Sequence, residues 1–353
     1  MIDYIIVGCG LAGIAFCETA SNNNKTFVVI SDDSQNSSKI AAGLYNPVIL
    51  KRFSQVWHAQ EQIQLLETFY NNLEQKLDCK VDYKLPIYRK LFSVEEQNNW
   101  FIALDKPNIG AFLKPIITKK NNPYLPAPYG FGEVLQTGYV NTALLLQRYQ
   151  KYLILNNQYV NESFDYKLLQ HHENCIQYKQ LKARHIIFAE GFGVGGNPFF
   201  NYLPVDGTKG EVLLIKAINL KLDTIVNSSI YVIPQGNDLY KVGATYNWAD
   251  KTNAPTEAGQ KELIDNLKNL ISCDFELIDH LAGVRPTVKD RRPLVGTHPK
   301  FINYHILNGL GTRGVMLAPE MALSLYQSIE HKVALDEHID IKRYAKILDA
   351  TLD

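Results

Sequence analysis

Residues 1–13 read MIDYIIVGCGLAG, and this stretch decides the first unit of the fold. The apolar run Ile5-Ile6-Val7 leads directly into Gly8, Gly10 and Gly13, which have the spacing G-x-G-x-x-G. The first glycine permits a tight turn, the second lets backbone approach a pyrophosphate, and the third lets a helix pack closely on the strand. The N–H groups at the start of that helix then face the phosphates. The stretch therefore predicts dinucleotide binding.

The following residues supply the rest of a βαβ unit. Residues 11–20 are rich in small side chains and predict a helix, and the β-branched run 26–30 predicts a second parallel strand. An acidic residue is expected about 20 residues beyond the glycines, where it accepts a hydrogen bond from a ribose hydroxyl. Asp32 and Asp33 come at this point, although Ser31 is predicted to hold the place directly after the strand.

Length and composition limit the class of protein. A chain of 353 residues predicts two domains around a large cofactor. Lys plus Arg and Asp plus Glu both number 36, so no net charge attracts nucleic acid or anionic membrane. The first apolar run is too short for a signal peptide, and no run has the roughly 18 apolar residues of a membrane span. The five cysteines lack metal-site or disulfide-framework spacing, which favours a cytoplasmic protein without a metal.

The chain is predicted to cross between two domains more than once. The apolar run 183–191 predicts a buried strand of the parallel sheet. Further helices are predicted over 57–77, 142–153, 256–271 and 319–330. Asn141 and Thr256 are their predicted N-caps, and Pro319 is predicted to lie in a first helical turn. Short β-like runs broken by prolines fill 81–129, and others follow residue 206. The predicted class is therefore α/β, with a Rossmann-like dinucleotide-binding domain (1–80, 136–205 and 276–353) and an interleaved β-rich substrate domain of mixed sheet and helices (81–135 and 206–275).

Two more glycine patterns occur later in the chain. Gly191, Gly193 and Gly196 are followed by Asn197-Pro198, which predicts a loop near the cofactor and not a second phosphate-binding helix. Gly309, Gly311 and Gly314 instead precede the final helix. A glycine turn of this kind presents N–H donors and a positive dipole end, which suits an anionic group of a ligand, although it is also how a plain helix can open.

The order of these motifs resembles the D-amino-acid oxidase and glycine oxidase family of FAD-dependent flavoproteins over essentially the full length. The resemblance rests on the N-terminal fingerprint and four further regions: 41–44, 189–191, 230–234 with 242–245, and 282–286 with 290–296. The closing stretch 309–319, GLGTRGVMLAP, is similar to the oxidase domain of the bifunctional enzyme that modifies the tRNA wobble uridine.

The resemblance implies non-covalently bound FAD. It places the first three glycines on the pyrophosphate, Asp32 near the adenosine ribose, Phe164 at the adenine and the C-terminal glycine loop at the pyrimidine end of the flavin. The full predicted set of cofactor-binding residues is Gly8, Gly10, Gly13, Asp32, Ser38, Lys39, Ala41, Ala42, Gly43, Phe164, Ala189, Gly191, Gly309, Gly311, Thr312, Arg313, Gly314 and Val315.

The same resemblance implies a site for a substrate carboxylate. Arg285 matches the residue that clamps this group, and a guanidinium suits the role because it is a planar, bidentate and permanently charged donor. Tyr231 matches a tyrosine that hydrogen-bonds the same carboxylate, and Tyr45 and Tyr246 are further pocket candidates. The alternatives are a structural ion pair of Arg285 with Asp290, and an aromatic in a β-sheet core for Tyr231.

The predicted activity is oxidation of a primary or secondary amine alpha to a carboxylate, in an amino acid or an N-substituted glycine. Hydride passes to flavin N5, and the resulting imine is hydrolysed, with oxygen as a candidate electron acceptor. One alternative keeps the chemistry but acts on the carboxymethylaminomethyl side chain of tRNA wobble uridine, so that tRNA is the partner. A second alternative is a non-catalytic FAD-binding protein, because fold does not guarantee function.

Overall fold

A computed structural model describes residues 1–350 of the chain. The strands over this range are β1 (Ile2–Val7), β2 (Phe27–Ser31), β3 (Leu44–Tyr45), β4 (Val48–Ile49), β5 (Ser54–Gln55), β6 (Asp82–Lys84), β7 (Ile87–Lys90), β8 (Leu113–Thr118), β9 (Phe131–Val134), β10 (Gly138–Val140), β11 (Tyr159–Asn161), β12 (Leu169–His171), β13 (Ile176–Tyr178), β14 (Leu181–Phe188), β15 (Thr208–Lys216), β16 (Ile225–Asn227), β17 (Tyr231–Gly236), β18 (Leu239–Gly243), β19 (Glu276–Arg285), β20 (Leu294–Thr297) and β21 (Tyr304–Asn308). The helices are α1 (Leu11–Asn22), α2 (Ser37–Ile40), α3 (Ala59–Leu77), α4 (Val94–Leu104), α5 (Thr142–Leu155), α6 (Glu257–Lys268), α7 (Gly314–His331) and α8 (Ala345–Ala350).

The first sheet is built around β1. Its strand order is β11-β2-β1-β14-β13-β12, and β21 pairs with β14 and with β20. β1 runs parallel to both β2 and β14, and β14 runs parallel to β21. Tyr4, Ile5 and Ile6 are fully buried because helices and loops cover both faces of this parallel sheet. The predicted α/β class is confirmed, although the second strand includes Ser31, which we had expected to follow it.

The predicted helices 57–77, 142–153 and 256–271 are present with small shifts of their ends. Two of the predicted caps also form. The Asn141 side chain accepts a hydrogen bond from the Leu144 N–H at 3.1 Å, and Thr256 accepts one from the Gly259 N–H at 3.0 Å. These side chains satisfy N–H groups that have no partner within the helix.

The last long helix, α7, begins five residues before its predicted start. It runs from Gly314, so Pro319 lies inside the helix and not in its first turn. A proline removes the N–H that would donate to the carbonyl four residues earlier, here that of Val315. The buried Tyr70 hydroxyl of α3 donates to this carbonyl at 3.1 Å. A tertiary hydrogen bond thus replaces the missing helical one.

The second sheet has the order β19-β15-β18-β17-β16-β7-β9-β8, and α6 packs on one of its faces through Leu263 and Leu267. Placing a boundary at residue 276 was wrong, because β19 (Glu276–Arg285) pairs along its length with β15 of this sheet. We propose that this sheet, including β19, and α6 form the substrate domain.

Residues 351–353, at the end of the predicted FAD-binding domain, lie outside the described residues.

The sequence analysis also missed α4, in a region for which it predicted only β-like runs. Ser93 caps this helix by accepting from the Glu96 N–H at 3.2 Å, and the Glu96 carboxylate accepts from the Phe92 N–H at 2.9 Å. The spacing of Ser93 and Glu96 is close to that of a capping box, which is a signal visible in the sequence. Within the described residues, no helix is long and apolar enough to cross a membrane.

Candidate functional site

A cavity of about 1920 Å³ lies between the two sheets. One half is at the carboxyl ends of β1, β2 and β14, which bring Gly8, Asp32 and Ala189 to a single edge of the first sheet. The other half is lined by β15, β17, β18 and β19 of the second sheet. Ligands of α/β folds bind beyond the carboxyl ends of parallel strands, so the first half lies where a nucleotide is expected.

The N-terminal glycines form a close-packed turn at the first half of the cavity. Gly8 has φ +102°, a conformation that favours glycine, and Gly8 and Gly10 line the cavity. Gly13 does not line it, because it packs against the strand. A Cβ at this position would lie 2.0 Å from the Gly8 carbonyl oxygen. Gly8 and Gly10 thus border the cavity, whereas Gly13 serves the packing of helix on strand, so we withdraw Gly13 as a cofactor contact.

Asp32 lines the cavity next to this turn. Its carboxylate accepts hydrogen bonds from the Ser34 N–H at 3.0 Å, from the Ser34 hydroxyl at 2.6 Å and from the Ser163 hydroxyl. Burial alone would raise the pKa of this carboxyl, but these hydrogen bonds outweigh burial and lower the pKa below its ordinary value. Asp32 is therefore an ionised acceptor.

Phe164, the predicted adenine contact, also lines the cavity. Its ring stacks on Tyr178 with centroids 4.3 Å apart. Beside it lies Glu190, whose carboxylate accepts from the Tyr166 hydroxyl and from the Asn197 amide at 2.7 Å. Burial raises the pKa of Glu190 to about 7, although both hydrogen bonds oppose this shift. A carboxyl that titrates near neutrality thus lines the cavity.

The segment 38–43 forms the wall between the two halves. Ser38, Lys39, Ala41, Ala42 and Gly43 all line the cavity, as the resemblance implies. Gly43 has φ +74°, and a Cβ there would lie 1.9 Å from the Val140 carbonyl oxygen. From β18 of the other sheet, the Lys241 ammonium donates to the Ala41 carbonyl at 3.1 Å. The wall is therefore held by β18 of the second sheet and by close packing on β10.

The C-terminal glycine loop leads into the first turn of α7 on the opposite side. Five of its predicted cofactor-binding residues line the cavity: Gly311, Thr312, Arg313, Gly314 and Val315. Gly309 does not line the cavity. It packs against Val288 instead, where a Cβ on Gly309 would lie 2.7 Å from a methyl group. Its glycine is required by packing and by φ +71°. We therefore withdraw Gly309 as a cofactor contact.

At the second half of the cavity, the partly buried Arg285 guanidinium lies beside Tyr246. Its Cζ lies 4.6 Å from the Tyr246 ring centroid, and its Nη1 donates to the Thr245 carbonyl at 3.3 Å. The predicted alternative, an ion pair with Asp290, does not form, because Asp290 binds Arg343 at 3.0 Å. Among the described residues, no carboxylate pairs with Arg285. Burial lowers the pKa of this guanidinium, which is the effect of removing a charge from water without a counter-ion.

The three predicted tyrosines differ in position. Tyr231 and Tyr246 line the cavity, with Tyr246 63 % exposed. Tyr45 does not line it and is 4 % exposed, and its hydroxyl donates to the Asp82 carboxylate at 2.9 Å. Because this hydroxyl bonds within the protein interior, we withdraw Tyr45 as a pocket residue.

This geometry is accompanied by a family match over most of the chain. The profile of the family DAO, FAD dependent oxidoreductase, matches residues 3–327. The chain belongs to the DAO family. The resemblance inferred from the sequence is therefore confirmed, and FAD is the cofactor on which this family depends.

Among curated DAO relatives, glycine oxidase of Bacillus subtilis (strain 168) is 23 % identical over 222 residues, which cover 58 % of this chain and 60 % of the relative. The matched part thus spans less than two thirds of that relative. The bifunctional protein MnmC of Legionella pneumophila (strain Corby), of tRNA 5-methylaminomethyl-2-thiouridine biosynthesis, is 26 % identical over 129 residues, covering 35 % of this chain and 19 % of that protein. The solved structure of glycine oxidase from Bacillus cereus ATCC 14579 has a TM-score of 0.76 at 18 % identity, with 95 % and 96 % of the two chains covered.

The cavity of this DAO chain fits FAD. Gly8 and Gly10 form a turn, here called the glycine cradle, that borders the cavity. Beside it, the Leu11 N–H donates to the Ser38 hydroxyl at 3.2 Å, and a Cβ at Gly10 would lie 3.1 Å from that hydroxyl oxygen. Any side chain at Gly10 would therefore narrow the space that a pyrophosphate needs. The ionised Asp32 carboxylate would suit a ribose hydroxyl as its donor. The cavity residues therefore suit a dinucleotide that binds at the glycine cradle and extends toward the second sheet.

Several cavity residues were missed by the sequence analysis. Glu190 stands inside the recognised segment 189–191, so its position was a usable signal. No sequence motif marks Arg89, which also lines the cavity. Its Nη1 donates to the Ser228 carbonyl at 3.0 Å, and its Nη2 lies 3.7 Å from the Glu96 carboxylate. Within residues 1–350, no group of three or more His, Cys, Asp or Glu side chains is placed to hold a metal ion.

Proposed function

We propose that this protein oxidises a primary or secondary amine alpha to a carboxylate, in an amino acid or an N-substituted glycine. The observation that carries the proposal is the partly buried Arg285 guanidinium, which lines the cofactor cavity at the end away from the glycine cradle and has no carboxylate partner among the described residues. A buried charge without a partner is costly, so a substrate anion that pairs with it gains much of that free energy. The similarity to glycine oxidases supports this choice of substrate.

In this proposal, the protein mainly fixes geometry. Arg285 binds the substrate carboxylate, and the Tyr231 hydroxyl donates to the same group from β17 of the same sheet. This pairing holds the alpha C–H in one orientation, and the low polarity of the site favours the neutral amine. FAD, when bound, accepts the hydride from the alpha carbon, and the imine left behind is hydrolysed by water. No side chain is assigned as a general base.

We propose that FAD is held without a covalent bond and that oxygen reoxidises it. Support for the first point is that no histidine lines the cavity among the described residues, and its one cysteine, Cys9, lies at the glycine turn and not at the substrate end. All five cysteines are free thiols, which supports a reducing, cytoplasmic location.

The test is anaerobic mixing of the holoenzyme with amino acids and N-substituted glycines, followed by loss of flavin absorbance. Arg285→Met should leave FAD bound but raise KM by roughly 30-fold to several thousand-fold, equivalent to about 2 to 5 kcal/mol for a buried carboxylate without its partner. Arg343→Met, which removes a guanidinium remote from the cavity, is the control. An unchanged KM for every carboxylated amine contradicts the role of Arg285. FAD binding without bleaching by any amine supports a non-catalytic protein.

A second candidate is oxidation of the carboxymethylaminomethyl group of tRNA wobble uridine. It is favoured by the exposed cations Lys51, Arg52 and Lys106, which line the cavity, and by the similarity to MnmC. Phosphate contacts of this kind make affinity fall steeply with salt. Retention of tRNA that weakens between 50 mM and 200 mM salt, and loss of retention in Lys51→Gln with Arg52→Gln, would favour this substrate over a free amino acid.

A further inference from the structure

Glu190 is an acidic residue of the nucleotide half that the proposed function does not use. It follows β14 and lines the cavity beside the glycine cradle. The two are in close contact, because a Cβ on Gly8 would lie 3.4 Å from the Cα of Glu190. A phosphate group at the cradle is therefore next to an acidic residue.

The Glu190 carboxyl is held by two donors. The Tyr166 hydroxyl donates to Oε1, and the Asn197 amide donates to Oε2 at 2.7 Å. Asn197 is 0 % exposed, and its Oδ1 accepts from the Phe199 N–H at 2.9 Å, which directs its amide nitrogen to Glu190. Because both partners act as donors, the O–H of a neutral Glu190 has no acceptor among the described residues. A ligand in the cavity can supply that acceptor.

The Tyr166 donor belongs to a segment that crosses the nucleotide half. Residues 162–168 connect β11 and β12, the strands at the two ends of the order β11-β2-β1-β14-β13-β12. Along this segment, Ser163 donates to Asp32, which follows β2, and Tyr166 donates to Glu190, which follows β14. Two acids on either side of β1 and its glycine cradle thus hold the segment.

The titratable side chains around Glu190 leave its charge uncompensated. They are Tyr166, Cys9 of the glycine turn and Asp32. Burial raises the pKa of Tyr166 and raises that of Cys9 to about 12, so both stay neutral, whereas Asp32 is ionised. Burial also raises the pKa of Glu190, to about 7. Ionisation of Glu190 therefore adds a negative charge to the half of the cavity that receives two phosphates.

The other charged residues of this half are occupied or exposed. Glu162 of the crossing segment pairs with Lys179 at 2.6 Å, and Asp165 accepts from a backbone N–H at 3.0 Å. Lys39, which lines the cavity from α2, is exposed. Among the described residues, no cation forms an ion pair with Glu190.

We propose that Glu190 binds FAD as the neutral acid and donates its O–H to an oxygen of the pyrophosphate or the adjoining ribose. Once ionised, the same side chain loses its donor and repels the phosphates. FAD affinity is therefore highest below the pKa of Glu190 in the FAD-free protein and falls as the pH rises above it. The inference concerns FAD, and it holds whichever amine is oxidised.

Equilibrium dialysis of the full chain against FAD between pH 6.5 and pH 8.5 tests this role. The wild-type dissociation constant should rise by about 10- to 25-fold over this range, the change expected when binding retains one proton. For Glu190→Gln, which has no carboxyl proton to lose, it should change by less than about 3-fold. ADP-ribose has the same pyrophosphate but no isoalloxazine, and it should show the wild-type dependence, which excludes titration of the flavin as the cause.

Two further variants identify the titrating group. Tyr166→Phe removes a hydrogen bond that favours the ionised form of Glu190, so the midpoint of the affinity loss should move up by about 0.5 to 1 pH unit. Asp33→Asn removes an exposed charge that lines the same half, so it should change the affinity by one factor at every pH and leave the midpoint in place.

A wild-type dissociation constant that does not depend on pH overturns the inference, as does a Glu190→Gln protein that keeps the wild-type dependence. If Glu190→Gln does not fold, Tyr166→Phe decides, and an unchanged midpoint is then the contrary result. Amine oxidation is not measured in these experiments, so failure of the proposed function and failure of this inference are distinguishable.

Discussion

The Arg285 guanidinium occupies the space that a side chain at Gly210 would need. A Cβ on Gly210 would lie 1.8 Å from Nη2 of Arg285. The two residues are on paired strands, where Thr208 of β15 is opposite Arg285 of β19, so the side chain of Arg285 extends along its neighbour strand. The orientation of the Arg285 guanidinium therefore depends on glycine at position 210, because any side chain there would collide with it.

Gly210→Ala should displace Arg285 without removing it. We expect KM for a carboxylated amine to rise by at least 10-fold while FAD still binds, because a displacement of about 1 Å is enough to disrupt a bidentate pair. Steady-state kinetics with the FAD content of each preparation check this. Gly195→Ala, where an added Cβ meets nothing within 4 Å, is the matched control. If Gly210→Ala has wild-type KM, Arg285 does not bind the carboxylate in the observed orientation.

Glu190 should make the free energy of unfolding depend on pH. Its folded-state pKa is about 7 against an ordinary value of 4.5, so the folded protein holds the proton more tightly. This stabilising contribution is fully present below pH 4.5 and is lost as the pH rises through 7, by at most about 3 kcal/mol.

Urea unfolding between pH 5 and pH 8.5 measures this contribution. Glu190→Gln should flatten the profile and make the variant more stable than the wild type at pH 8.5, because its amide cannot ionise. Parallel profiles for the two proteins would mean that the carboxyl of Glu190 titrates at its ordinary value in the folded state.

Tyr70 and Pro319 should be coupled through one carbonyl. Tyr70→Phe leaves the Val315 carbonyl without its hydroxyl donor, which should destabilise the protein by about 1 to 3 kcal/mol. Pro319→Ala supplies an N–H that can donate to the same carbonyl. In the Pro319→Ala background, Tyr70→Phe should therefore have a much smaller effect. The four midpoints of thermal unfolding give the coupling, and strictly additive effects would contradict it.

Lys209 should hold the loop that follows Tyr246. It is 0 % exposed, and its ammonium donates to the Asp250 carboxylate, the Ala254 carbonyl and the Thr252 hydroxyl. Lys209→Met removes the one ammonium that joins these three groups, so we expect the free energy of unfolding to fall. It should also speed proteolytic cleavage within 247–256, which limited digestion detects. Lys251→Met, at an exposed ion pair in the same loop, should have little effect on either measurement.

Features set by neighbours in the chain could be predicted from the sequence. The glycine turn, the first βαβ unit and the caps at Asn141 and Thr256 depend on contacts within a few residues. The capping residues before α4 were equally local and were overlooked. The start of α7 could not be placed in this way, because a proline within a helix is acceptable only when a distant group, the Tyr70 hydroxyl, serves the carbonyl it leaves free.

At the candidate site, too, features set by neighbours in the chain could be predicted from the sequence, whereas features set by distant contacts could not. Sequence motifs identified the cradle at Gly8 and the guanidinium of Arg285, because each belongs to a recognisable local pattern. They also suggested Tyr45, but its hydroxyl is bound to Asp82. They gave no reason to include Arg89, which lines the cavity from β7 of the second sheet.

The sequence by itself thus determined that this chain binds a dinucleotide through a strand–glycine–helix turn, since that turn is made by backbone within 13 residues. Only the tertiary structure decided which charges meet inside the cavity. Whether Arg285 has a counter-ion depends on strand register and on the packing of the two sheets, because Asp290, only five residues away in the sequence, binds Arg343 and not Arg285. Electrostatic compensation is a property of distances in space, and local sequence does not encode them.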